Sequence, residues 1–188
     1  MEAIFLLAEQ IREHYLKGYL TCLADFQAEH SPSAPEILLE LSPESGFILK
    51  LYRIDMGANS GGSFKTKEVN LETHLKFQPF RERMKSGLEV TFLPIAWNGV
   101  EFLANATAST EPLEQWALKW LDVDDKHMDD EHGLQGVIHS VTKPEPKDSA
   151  LGISVDFGSA PVTAFSELLD VLQGMGATSI EISSSCLG

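Results

Sequence analysis

Apolar residues recur along this chain with two different periods, and the two divide it into helices and strands. Residues 2–24 place Ile4, Leu7, Ala8, Ile11, Tyr15 and Leu16 on one helical face, which Leu20 and Leu23 extend past Gly18. Glu9, Glu13 and Lys17 lie opposite. After a Pro-containing loop at 31–35, the runs 36–41 and 47–54 alternate in the strand manner. A short polar turn at 42–46 joins them, which predicts an antiparallel hairpin. Residues 57–67 (GANSGGSFKTK) read as a flexible loop. Residues 71–85 carry only a weak helical pattern, broken at Pro79.

The next clear pattern spans 88–106. The runs 90–97 and 100–104 flank Asn98-Gly99, a dipeptide preferred in two-residue hairpin turns. That turn would set Trp97 against Val100, Ile95 against Phe102 and Leu93 against Ala104. A helix follows, capped by Ser109 or Thr110, with Pro112 in its first turn and Leu113, Trp116, Ala117, Trp120 and Leu121 as its apolar stripe. Trp97, Trp116 and Trp120 are expected to cluster between hairpin and helix. Residues 134–142 read as a strand and 143–149 as a polar turn.

The end of the chain is the most legible part. Ile153, Val155 and Phe157 alternate with Ser154 and Asp156, and Gly158 breaks the strand. Ser159 is placed to cap a helix with Pro161 in its first turn and an apolar stripe of Phe165, Leu168, Leu169 and Leu172. Gly174 and Gly176 can end it, and Ile180 and Ile182 mark a last strand. The sum is an α+β fold over 1–188 as a single domain, with a soft division near 57–67. It is a mainly antiparallel sheet built from hairpins, with helices packed on it and a C-terminal strand-helix-strand unit.

A chain of 188 residues with 43% hydrophobic content can bury a core without metals or disulfides. Its charge adds more. The net charge of −14 argues against nucleic acid and against an anionic membrane surface, both of which attract basic proteins, and it suits a basic protein partner. The charge is uneven: residues 50–85 hold 8 basic and 4 acidic side chains, residues 86–188 hold 4 and 16. Cys22 and Cys186 make no disulfide framework. With no basic leader and no apolar run of membrane-spanning length, a cytoplasmic location is expected.

The densest chemistry is the run 122–132, DVDDKHMDDEH. Asp122, Asp124, Asp125, Asp129, Asp130 and Glu131 form the candidate surface for a basic partner. His127, Asp129, Asp130 and His132 are the metal-ligating alternative, since imidazole with carboxylate suits zinc or iron. The spacing matches neither an EF-hand loop nor H-E-x-x-H, and charge runs of this length are usually solvated. His139 neighbours Ser140, but adjacent strand residues face opposite ways, so they cannot act as base and nucleophile. His139 reads instead as a structural histidine bonded to a neighbour. Asp156 and Ser159 read as turn and cap residues. The glycines of 57–67 lack the Lys and hydroxyl of a phosphate-binding loop.

The chain therefore reads as a cytosolic acidic protein-interaction module, inhibitor or immunity-like, binding a basic partner, with no cofactor and no assembled catalytic set. The alternative is a small metal-assisted enzyme using the acidic-His loop. A structural subunit of a homo-oligomer is a third reading.

Overall fold

Helix α1, Ala3–Glu29, keeps its apolar spacing for seven turns: Ile4, Ala8, Ile11, Tyr15, Tyr19, Leu23 and Phe26 are all buried. It continues past the expected end near 24 because Phe26 prolongs the stripe, and it stops shortly before Pro32, which disfavours helix in the residue ahead of it. The structure, a computed structural model, describes residues 2–42, 44–71, 74–107, 109–147 and 150–184. Cys186 lies outside them.

Ten strands and two further helices follow among the described residues: β1 Ser33–Glu40, β2 Leu51–Ser60, β3 Ser63–Lys67, β4 Phe80–Arg83, β5 Glu89–Phe92, β6 Val100–Ala104, α2 Glu111–Trp120, β7 Ser140–Val141, β8 Glu145–Lys147, β9 Ala150–Asp156, α3 Val162–Gly174 and β10 Ser179–Ser183. They form an antiparallel three-stranded sheet, β1-β2-β3, and a mixed seven-stranded sheet ordered β4-β5-β10-β6-β9-β7, with β8 also on β9. The fold is α+β, and its C-terminal strand-helix-strand unit is present. β9 and β10 run parallel with β6 between them, since each pairs antiparallel with β6.

Alternation sorts the seven-stranded sheet into two faces. Val90, Phe92, Phe102, Ala104, Ile153, Val155, Ile180 and Ile182 are buried. Phe165 of α3 packs into them, 5.8 Å from the Phe102 ring and 6.3 Å from Phe92. The intervening Glu101, Ser154 and Glu181 border a shallow 410 Å³ groove on the other face, the wet side usual for such a sheet.

Several local expectations change. Residues 57–67 are no loop: β2 runs through Gly57 to Ser60, turns at Gly61-Gly62, and returns as β3. Both turn glycines have positive φ, +60° and +80°, as a primed two-residue turn requires. The strands beside Asn98-Gly99 do not pair with each other. Gly99 N–H still closes a turn onto Ala96 O, but β10 inserts between β5 and β6, parallel to the first and antiparallel to the second. The turn segment after Lys143 contributes β8, and the weak pattern before Lys85 ends in β4. Ser159 does not cap α3. Its hydroxyl accepts the Gly136 and Val137 N–H groups instead, and Pro161 occupies the cap position. Of the three Trp, Trp97 stacks on Phe157 at 4.7 Å and Trp116 meets the same ring edge-on, while Trp120 lies beside His127.

Candidate functional site

Two features concentrate charge, and the structure ties them together. The first was not read from the sequence as a unit. β2 carries Arg53 and Asp55 within the run Arg53–Gly57, in which consecutive residues are all buried, so both faces of the strand are covered. Charged residues in such a run must find partners, since an unpaired buried ion is costly. Arg53 N–H bonds His139 O, which stitches the three-stranded sheet to the start of β7. Glu36 on β1, Asp55 and His139 are then sealed together, exposed by 1%, 2% and 1%.

His139 sits between two carboxylates. Its Nε2 donates to Glu36 Oε1 at 3.1 Å, and its Nδ1 lies 2.9 Å from Asp55 Oδ1. The second contact is an ion pair rather than a directed hydrogen bond, because the carboxylate lies off the N–H direction. Asp156 Oδ2 stands 3.9 Å from the same nitrogen, partly open to solvent. Asp55 also receives the Tyr15 hydroxyl on Oδ1 and Val69 N–H on Oδ2, while the Tyr19 hydroxyl bonds the Asp55 carbonyl. Gly158 makes room for the ring: a Cβ there would fall 2.3 Å from His139 Cδ2.

The electrostatics follow from this crowding. Burial by itself would favour neutral His139, but Asp156, Asp55 and Glu36 together hold its pKa well above the usual 6.5. Burial raises Asp156 to about 6 and Glu68 to about 7, and in both the nearby Asp55 charge adds to the rise. Burial would raise Asp55 too, but the adjoining imidazolium and Val69 N–H outweigh it, so Asp55 is lowered. Burial and the surrounding carboxylates push Tyr15 and Tyr19 upward, so both hydroxyls stay protonated as donors.

The second feature is the acidic loop. The six acidic residues named from the sequence fall into distinct environments. Asp122 is buried, with φ +48°, and its carboxylate accepts Lys126 N–H and His127 N–H at 2.9 and 2.8 Å. Burial would raise its pKa, but these two donors and Arg53 hold it below the carboxylate range. Asp130 accepts His132 N–H and Leu134 N–H, so it also shapes the loop. Asp124 pairs with Lys126 at 2.6 Å, and Asp125 receives Gln135 Nε2 at 3.0 Å. Asp124, Asp125, Asp129, Asp130 and Glu131 are all exposed. Met128, in their midst, is 90% exposed, the most exposed large apolar side chain among the described residues. It borders a groove of about 400 Å³ lined also by Leu16, Trp120, Asp130, Leu134 and Pro161.

The metal-ligating alternative does not assemble. Among the described residues no group of three or more His, Cys, Asp or Glu side chains is placed to hold a metal ion. His127 Nδ1 donates to Gln135 O at 3.0 Å, and His132 leans toward Glu131 at 3.6 Å. His139 is committed to the buried centre. No helix among the described residues is long and apolar enough to cross a membrane.

Glu36 escaped the sequence reading because nothing in its neighbourhood marks it as buried. Arg53 and Asp55 did leave a signal, as alternate charges inside the apolar run Leu51–Met56. Comparison with protein-family models, with curated proteins and with solved structures finds no match to this chain.

Proposed function

We propose that this chain is a cytosolic protein-interaction module, inhibitor or immunity-like, that docks a basic protein through the loop 122–132. The observation that carries the reading is the composition of that surface: exposed Asp124, Asp125, Asp129, Asp130 and Glu131 surround a fully presented Met128. Carboxylates speed encounter with a basic surface, while an apolar anchor supplies contact once water is expelled. The net charge of −14 reinforces the steering. The loop is suited to the task because buried Asp122 and exposed Asp130 accept its backbone N–H groups, while Asp124, Asp125, Asp129 and Glu131 also stand exposed.

The test is differential capture. Wild type and a variant with Asp124→Asn, Asp129→Asn and Glu131→Gln serve as paired baits in native lysate. The reading expects a basic protein retained by wild type, lost from the variant, and released from wild type as salt rises. Identical captured sets from the two baits would overturn it.

A further inference from the structure

The loop 122–135 has neither a strand ladder nor a helix to hold it, yet both its ends are fastened to the buried centre. At its start, Arg53 Nε donates to Leu121 O at 2.8 Å and Arg53 Nη2 to Asp122 O at 3.1 Å. At its end, Arg53 Nη1 donates to Gln135 Oε1 at 2.6 Å, and Gln135 N–H donates to Glu36 Oε2 at 2.7 Å. The same Nη1 reaches Glu36 O. Arg53 and Glu36 therefore clamp the loop from beneath, and Glu36 spends its other oxygen on His139 Nε2 and Ser159 N–H.

We infer that His139 is the regulatory latch of the acidic loop: its positive charge holds Glu36 in place under Gln135, and losing that charge loosens both ends of the loop, which Arg53 joins. The consequence for partner docking rests on the function proposed above, but the coupling itself does not.

The groups facing His139 set the direction. Glu36 comes from β1, Asp55 from β2, Asp156 from β9, and the hydroxyls of Tyr15 and Tyr19 from α1, with Glu68 behind Asp55. Arg53 is the other cation, but its guanidinium is bound to carbonyl and amide oxygens rather than to either carboxylate. When the imidazole becomes neutral, the proton leaves Nδ1, which makes no directed hydrogen bond, and Nε2–H keeps its bond to Glu36. Glu36 and Asp55 are nevertheless left as like charges facing each other across β1 and β2 with no cation between them. The two carboxylates must then move apart, and Glu36 cannot move without disturbing Gln135 N–H. Burial opposes the imidazolium and the carboxylates outweigh it, so the latch is closed at neutral pH and opens on the alkaline side.

The test uses the full chain labelled with ¹⁵N and needs no partner. The His139 ring nitrogens and the amides of Lys126, His127 and Gln135 are followed by NMR from about pH 5 to 10, across the histidine range and above it. The ring should stay protonated past pH 6.5, the ordinary histidine value. The three amides should shift with the midpoint of His139, and their hydrogen exchange, corrected for intrinsic rate, should rise about tenfold across it. A His127→Gln, His132→Gln variant removes the loop's own imidazoles and should keep this titration. Three results would overturn the inference: a midpoint near 6.5 for His139, loop amides that titrate only with His127 and His132, or loop amides as protected as the core until the whole chain unfolds. Failure of the capture experiment with this coupling intact would sink the docking reading alone.

Discussion

Glu36 and Asp55 stand opposite each other in the β1–β2 ladder, between the pairs Pro35–Met56 and Ile37–Ile54, and their carboxylates close on the two nitrogens of one buried imidazole. The arrangement requires Glu36 to adopt φ +51°, an uncommon conformation for a non-glycine residue. It is held there by four contacts on its side chain and carbonyl: His139, Ser159, Gln135 and Arg53. Removing one partner of a buried ion pair strands the other. Glu36→Gln and Asp55→Asn should therefore each cost about 3–5 kcal/mol, read from urea unfolding. A loss below about 1 kcal/mol for both, the size of an ordinary exposed pair, would show that the centre is solvated.

The pH dependence of stability has a definite sign. Asp156 and Glu68 have raised values, so their contributions are present below the ordinary 3.8 and 4.5 and are lost as pH climbs to about 6 and 7. The Glu68 share is discounted because that side chain is only partly buried and remains open to solvent. His139 is also raised: its contribution is complete below 6.5 and disappears as pH rises through its higher folded value. Asp55, Asp122 and Glu167 are lowered, so they lose theirs only on acidification below the ordinary carboxylate values. Thermal unfolding should show greatest stability at about pH 4 to 4.5 and a falling Tm from there to pH 9. A maximum above pH 7 would contradict these protonation states.

Two glycines separate tight packing from open space. Gly158 has φ +47°, and a Cβ on it would overlap His139. Gly158→Ala should cost more than the roughly 1–2 kcal/mol of the left-handed conformation alone. A Cβ on Gly174, at the end of α3, meets nothing within 4 Å, so Gly174→Ala should be neutral or stabilising by up to about 1 kcal/mol. Equal midpoints for the two variants in urea would refute the placement of His139 against Gly158.

What the sequence revealed and concealed follows from the range of the interactions. The strand-helix-strand end was legible because Phe165, Leu168, Leu169 and Leu172 keep a local period, and all four are buried in α3. The insertion of β10 between β5 and β6 was not legible, because alternation says which face of a strand is buried and not which strand lies beside it. Nor could spacing reveal that Glu36 and His139, 103 residues apart, share a proton site. The loop acids were visible as a run, but only the backbone geometry shows that Asp122 and Asp130 fasten the loop and that Asp122 alone of the six is buried.

The docking of α3 on the large sheet has a direct check. Leu169 is fully buried, so Leu169→Ala should cost about 2–5 kcal/mol. A loss under about 0.5 kcal/mol would place the residue at the surface.

The most direct test of the proposed function is the association rate of the captured partner with wild type and with the Asp124→Asn, Asp129→Asn, Glu131→Gln variant, each at low salt and at about 0.15 M, where screening falls to roughly 8 Å. The surface described here predicts that wild type associates faster at low salt, that the variant loses most of that advantage, and that both unfold at nearly the same urea concentration. Equal association rates for the two proteins at low salt would show that the acidic loop serves solubility and is not the docking surface.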